Sequence, residues 1–150
     1  MNVAPSASAA RLLLQASLWF IAAFHVGVGV ILNVSPAGTR AVAARYGATR
    51  VDWTLQFHHI LRPLGAFMIA LGVIAAATAP DPLRHPQVVL GFALLFALRA
   101  AQRVAFGREM ADAFGIPPHR VRTNIAVFTA QAVVLAALWW LARGTADATA

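Results

Sequence analysis

Four long apolar stretches, separated by short polar segments, constrain this chain more than any other feature. They lie at about 12–34, 55–79, 87–106 and 124–141. Each has close to the ~20 residues that a helix needs to cross a bilayer. Only 11% of the residues are charged, whereas soluble domains carry about 25%. The sequence therefore predicts a single all-α membrane domain over 1–150, folded as an antiparallel bundle of four transmembrane helices.

The segments between these spans carry helix-breaking residues. Ser35-Pro36-Ala37-Gly38 is expected to end the first span, because it combines a capping residue with proline and glycine. Residues 39–46 are predicted to form a short interfacial helix that stops at Gly47. Residues 107–123 are predicted to be a loop with a turn at 115–118.

The basic residues are distributed unevenly between the two sets of connecting segments. All twelve are arginines, and seven lie after the first span or at and after the end of the third: Arg40, Arg45, Arg50, Arg103, Arg108, Arg120 and Arg122. Only Arg11, Arg84 and Arg143 belong to the termini and the second loop. Because basic loops stay in the cytoplasm, both termini are expected on the non-cytoplasmic side of a bacterial-type inner membrane. Arginines beside apolar spans favour this topological role over nucleic-acid binding.

Arg99 is the residue most indicative of a site, because it lies inside the third span and no predicted span contains an acidic residue. A central arginine costs about 2.5–3.5 kcal/mol on insertion scales. Two interpretations are open. The side chain snorkels to the cytoplasmic interface, or His58, Arg62, Arg99 and Arg103 form a cluster that binds a lipid phosphate, a fatty-acid carboxylate or a quinone carbonyl.

Histidines in two spans, His25 in the first and His58 or His59 in the second, allow a haem alternative, because histidines on facing helices can ligate haem iron. No other metal site is predicted, since the chain has no cysteine and no metal-ligand spacing of histidines. A serine or threonine beside a histidine and a buried acid is also missing, so a hydrolase triad has no support. No catalytic residue is predicted.

Small residues form a stripe along the second span. Gly65 and Gly72 share one helical face with Arg62. Such stripes let transmembrane helices approach closely. Gly65, Gly72 and, in the first span, the pair Gly27 and Gly29 are therefore predicted to be helix-packing positions.

Several short motifs carry a resemblance. The first span ends in Asn33-Val34-Ser35-Pro36, the second contains Arg62-Pro63-Leu64-Gly65 and Ala70-Leu71-Gly72, and the third closes on Arg99. In this layout the chain resembles the small DoxX-like four-helix membrane proteins. The resemblance implies a subunit of a quinone-reducing membrane oxidoreductase, and Arg62, Gly65, Gly72 and Arg99 match recurrent positions of that family. It transfers no catalytic residue.

The resulting expectation is a non-catalytic accessory or assembly subunit of a larger inner-membrane complex, either for transport or for respiration. Its expected partners are membrane lipids and other integral membrane subunits, without nucleic acid. Two alternatives stay open. One is a lipid- or quinone-binding protein that uses the Arg/His cluster, and the other is a b-type haem protein.

Overall fold

The computed structural model describes residues 5–144, and no strand occurs among them. Its helices are α1 (Pro5–Val34), α2 (Pro36–Arg45), α3 (Leu55–Thr78), α4 (Pro86–Phe114) and α5 (Pro118–Arg143), with a 3₁₀ turn at Pro82–Arg84. Four of these helices, α1, α3, α4 and α5, are long and apolar enough to cross a membrane. The prediction of an all-α protein with four such helices is confirmed. The predicted positions of the two termini concern 1–4 and 145–150, which lie outside the described residues.

Helix α1 is the central element of the bundle. It packs mainly on α3 and also on α5, α5 packs on α4, and α3 and α4 barely touch each other. The core contains side chains from all four long helices, including Leu14, Leu18, Ala75, Phe92 and Leu135. Large apolar side chains such as Leu12, Phe67 and Val104 are exposed on the outer faces. This distribution is expected where lipid, not water, surrounds the helices.

Glycines bring the backbones of α1 and α3 close together. A Cβ added at Gly72 would lie 2.9 Å from the carbonyl oxygen of Ala22, and one at Gly65 would lie 2.8 Å from that of Gly29. In contrast, a Cβ added at Gly27 would meet nothing within 4 Å, and Gly27 is exposed. The α1 glycine that packs against α3 is therefore Gly29, and the packing role predicted for Gly27 is corrected.

Helix α2 begins at Pro36, whereas the predicted start was residue 39. Only Ser35 separates it from α1. The Ser35 hydroxyl accepts a hydrogen bond from the Gly38 backbone N–H at 3.0 Å, and Pro36 occupies the first helical position. Proline is favoured at that position because the backbone N–H that it lacks would have no hydrogen-bond partner within the helix. The helix ends at Arg45, followed by Gly47 with a φ of 95°, so the predicted glycine stop is observed.

The predicted loop at 107–123 is mostly helical, which corrects the sequence-based boundary. Helix α4 continues to Phe114, only 115–117 lie outside helices, and α5 begins at Pro118. The segment Arg108-Glu109-Met110-Ala111 has good intrinsic helix formers, so its polarity marks an exposed helix face. Gly115, with a φ of 66°, provides the left-handed residue that ends α4.

Two connecting segments are hydrogen-bonded to each other at one end of the bundle. The backbone N–H groups of Thr49 and Arg50 donate to the Phe114 carbonyl at 2.9 and 3.0 Å. The Thr49 hydroxyl donates to the Gly115 carbonyl at 2.8 Å. We call this region, formed by α2, residues 46–54 and residues 115–117, the α2 end. It places residues 46–54 beside the beginning of α3 and the end of α4.

Candidate functional site

A cavity of about 170 Å³ lies between α1, α4 and α5 beside the α2 end. We call it the aromatic cavity, because Phe24, Phe96 and Phe128 contribute rings to its wall. Its polar lining residues are His25, Tyr46, Arg99, Asn124 and Gln131. An aromatic lining with a few convergent polar groups is typical of small-molecule sites.

A second cavity, of about 230 Å³, lies on the other side of Arg99. We call it the aliphatic cavity, because aliphatic side chains such as Leu32, Leu61 and Met68 form most of its wall. Three aromatic side chains besides Tyr46 also line it: Trp53, Phe57 and Phe114. Tyr46 and Arg99 line both cavities. These two side chains therefore form the boundary between an aromatic and an aliphatic compartment.

The Arg99 guanidinium is held by an aromatic ring and not by an acid. Its Cζ lies 4.5 Å from the centre of the Phe128 ring, and Arg103 approaches the same ring at 5.4 Å. Both distances fall in the range of cation–π attraction. In the part of the chain that the structure describes, the one ion pair joins Arg11 to Asp81. The positive charge of Arg99 therefore has no carboxylate partner among these residues.

His25 stabilises the wall of the aromatic cavity from α1. The side chain is 2% exposed, and its Nδ1 donates to the Ile21 carbonyl at 2.8 Å. Because a carbonyl only accepts, this bond leaves Nε2 as an acceptor in the neutral imidazole. The edges of Phe92 and Phe96 contact the same ring, so α1 and α4 hold its orientation.

Tyr46 was missed by the sequence reasoning and is placed by three local features. It caps the C-terminus of α2, Gly47 turns the chain directly after it, and Asn124 of α5 donates to its carbonyl at 3.4 Å. It is the chain's single tyrosine. Its position just before a glycine at the end of a short basic helix was the available signal.

Gln131 brings an unsatisfied polar atom to the aromatic cavity. Its side-chain oxygen Oε1 is buried and has no hydrogen-bond partner within residues 5–144. The same holds for the indole N–H of Trp139, which lies away from both cavities. A buried acceptor without a partner costs about 1–3 kcal/mol, so Gln131 destabilises the bundle where it faces this cavity.

The four residues of the predicted Arg/His cluster do not meet in one place. Arg99 and Arg103 share the Phe128 ring. His58 stacks on Trp53 with 5.6 Å between the ring centres, and Arg62, near the beginning of α3, is exposed. Neither His58 nor Arg62 lines either cavity. The segment 46–54 hydrogen-bonds to Phe114 at the end of α4, and its Trp53 packs on the beginning of α3, which sequence spacing alone does not reveal.

The two histidines of the haem alternative lie in different surroundings. His25 lines the aromatic cavity, whereas His58 is stacked on Trp53 and lines neither cavity. Across residues 5–144, no group of three or more His, Cys, Asp or Glu side chains could hold a metal ion. The residues that converge on the aromatic cavity are thus a histidine, an arginine, a tyrosine, two amides and aromatic rings.

Comparison of the chain with protein-family models, curated proteins and solved structures finds no match. The functional assignment therefore depends on the geometry around Arg99. An arginine guanidinium offers five N–H donors and no acceptor. This arrangement is suited to holding an anion or another strong acceptor inside an apolar environment.

Proposed function

We propose that this protein binds a membrane-soluble amphiphile whose head group accepts hydrogen bonds from Arg99. The head group is a carboxylate, a phosphate or a quinone carbonyl. The observation that carries the proposal is that Arg99 separates two cavities and has no carboxylate partner among the described residues. A lone arginine inside an apolar span costs several kcal/mol. An acceptor bound at its guanidinium offsets part of that cost.

The two sides of Arg99 support different roles. On the aromatic side, the Phe128 ring at 4.5 Å fixes the guanidinium. On the aliphatic side, Leu61, Leu64 and Met68 provide apolar surface for the hydrocarbon part of a ligand. Tyr46 belongs to both sides, and its hydroxyl is a second donor for an acceptor group.

The membrane topology is part of the same proposal. The first segment of α1 lies near the end of α3, since Gln15 donates to the Pro80 carbonyl, which favours the antiparallel bundle. We place the α2 end, with exposed Arg40, Arg45 and Arg50, in the cytoplasm and both termini on the opposite side. The host is then a bacterial-type inner membrane.

Two further predictions stay untested beside this one. The DoxX-like membership depends on the resemblance, and the accessory-subunit role depends also on the small-residue helix faces and the arginine-rich α2 end. The ligand-binding role is preferred because it accounts for the charge of Arg99 at the boundary of the two cavities. The subunit role identifies no residue of this chain that contacts a partner.

The test is a purification of the native protein in mild detergent, followed by mass spectrometry of bound lipids and polypeptides and by a visible spectrum. A stoichiometric lipid or quinone that is lost in Arg99→Gln supports the proposal. A Soret band would instead identify a haem protein. Stoichiometric partner polypeptides without any bound amphiphile would overturn the proposal in favour of the accessory subunit.

A further inference from the structure

We infer that the bound amphiphile is an anionic single-chain lipid of the fatty-acid class, and that its chain lies along the seam between α3 and α4. This inference rests on the proposed function, because it needs the head group at Arg99. It adds the charge of the head group, the number of chains and the path of the chain through the bundle.

The charge follows from the surroundings of Arg99. Arg103 lies over the same Phe128 ring, so two guanidinium groups are close together, and no ion pair to either occurs among residues 5–144. A neutral carbonyl would accept hydrogen bonds but would leave both charges uncompensated. A carboxylate neutralises one of them and accepts from an arginine in the paired geometry that the guanidinium favours.

The path follows from a second opening next to the aliphatic cavity. A cleft of about 390 Å³ between α3 and α4 has an entirely apolar set of lining residues: Leu71, Ile74, Val88, Gly91, Leu95 and Leu98, among others. The aliphatic cavity ends at Met68 and Arg99. On α3, Leu71 lies about one helical turn beyond Met68, and on α4, Leu95 lies about one turn before Arg99. The cleft therefore continues the cavity along the same two helix faces.

The seam has a structural cause on each helix. The small-residue face of α3 is used against α1, so α3 presents leucines and Met68 towards α4. On α4, Gly91 has no side chain, and a Cβ added there would meet nothing within 4 Å. Because α3 and α4 make so few contacts with each other, one extended chain fits between them without displacing a packed side chain.

The length of the seam accommodates one long acyl chain. From Arg99 to Val88, eleven residues of helix rise ~16 Å at 1.5 Å per residue. Val88 lies close to the beginning of α4 at Pro86. With its carboxylate at Arg99, the chain would therefore extend away from the α2 end, towards the opposite end of the bundle.

The experiment uses palmitate with a photoreactive diazirine near the far end of its chain and the full chain in nanodiscs. After irradiation, mass spectrometry locates the labelled residues. We expect label on 71–74 and 88–95, and we expect Arg99→Gln to lower it about tenfold or more, as for loss of a charged hydrogen bond. Arg62→Gln is the matched control, because Arg62 is an exposed arginine outside both cavities, and it should leave the label unchanged.

A pair of glycine variants tests the path separately from the head group. Gly91→Leu places a side chain in the seam, and Gly27→Leu places the same side chain on the exposed face of α1. An added Cβ has open space at both positions, so both variants should fold. Only Gly91→Leu should displace the palmitate label, whereas octanoate, which is too short to pass Gly91 about 12 Å from Arg99, should still compete for the head-group position.

The outcomes separate the two levels of the proposal. Label that depends on Arg99 but lies outside the seam, or that survives Gly91→Leu, overturns the chain path and leaves the proposed function standing. Stronger competition by a short-chain ubiquinone analogue than by unlabelled palmitate overturns the fatty-acid class. Label that is insensitive to Arg99→Gln contradicts the proposed function itself.

Discussion

Helix α3 has two neighbours, and its two interfaces differ in closeness. Against α1, glycines bring the backbones so near that a Cβ at Gly29 would lie 2.6 Å from the Gly65 carbonyl oxygen. Against α4, the same helix leaves a cleft of about 390 Å³. Small residues thus close one side of α3, while leucines opposite a glycine keep the other side open. The comparison indicates that α1 and α3 form the structural pair and that the α3–α4 seam is available for a ligand.

The largest expected effect comes from forcing the closed interface apart. In Gly72→Leu the new Cβ would lie 2.9 Å from the Ala22 carbonyl oxygen and from the Val26 nitrogen, and a backbone cannot move aside as a side chain can. Overpacking costs about 1–3 kcal/mol, and we expect the upper part of that range. Thermal unfolding in detergent, followed by helical circular dichroism, measures the loss. Gly91→Leu is the control on the open side, and a comparable fall in its unfolding temperature would contradict the distinction between the two interfaces.

The next largest effect concerns the α3–α4 seam and is measured as a change in palmitate affinity. Arg99→Gln removes the charge at the junction of the cavities and the seam, and we expect palmitate affinity to fall by about ten- to a hundredfold, since hydrogen bonds to charged groups contribute about 1.5–3 kcal/mol. Fluorescence-based or radiolabelled binding in nanodiscs measures it. Arg62→Gln should bind as the wild type does, and equal losses in both variants would indicate a general electrostatic attraction instead of a site.

A smaller effect tests how far the ligand reaches into the aromatic cavity. Gln131→Leu removes a buried acceptor that has no partner within the described chain, so the free energy of unfolding should rise by about 1 kcal/mol. Palmitate binding should stay unchanged, because the carboxylate is proposed at Arg99 and the chain in the seam. Thermal unfolding and palmitate titration of the same sample give both values. Weaker binding in Gln131→Leu would place the head group deeper, against α5.

The smallest effect is expected at the opposite end of the α1–α3 pair. Arg11 donates to the Asp81 carboxylate at 3.1 Å, and both side chains are about half exposed, at 49% and 50%. Exposed ion pairs contribute at most about 1 kcal/mol, so Arg11→Gln should lower the unfolding temperature only slightly. The shift should shrink in high salt. A loss as large as that of Gly72→Leu would show that the ion pair, and not the glycine contacts, holds α1 to α3.

The sequence was sufficient to predict the four spans, because apolar composition over about 20 residues is a local property. It also singled out Arg99, since a charge inside an apolar stretch is visible without a structure. The α2 helix and its glycine stop were predicted for the same local reason. The exact limits of α4 and α5 were not, because the polar residues at 107–123 form the exposed face of helices.

The neighbours of Arg99 depended on contacts that spacing does not contain. Arg62 and His58 were assigned to its cluster because they begin the second span on the same predicted side of the membrane. Residues 46–54 instead contact both α3 and α4, and Tyr46 lines both cavities beside Arg99. Gly27 and Gly29 differ by two residues and thus by about 200° around the helix, and only the position of α3 decides which of them packs.

The central claim is that a carboxylate binds at the Arg99 guanidinium, and solid-state NMR tests it most directly. The chain has twelve arginines and no lysine, so ¹⁵N labelling of arginine covers every guanidinium and leaves no lysine ammonium unlabelled. With carboxyl-¹³C palmitate in a bilayer, dipolar recoupling should report a carbon–nitrogen distance of about 4 Å, as in a paired arginine–carboxylate contact. The signal should persist in Arg62→Gln and vanish in Arg99→Gln. A short distance that survives Arg99→Gln would contradict the account, because another arginine would then hold the head group.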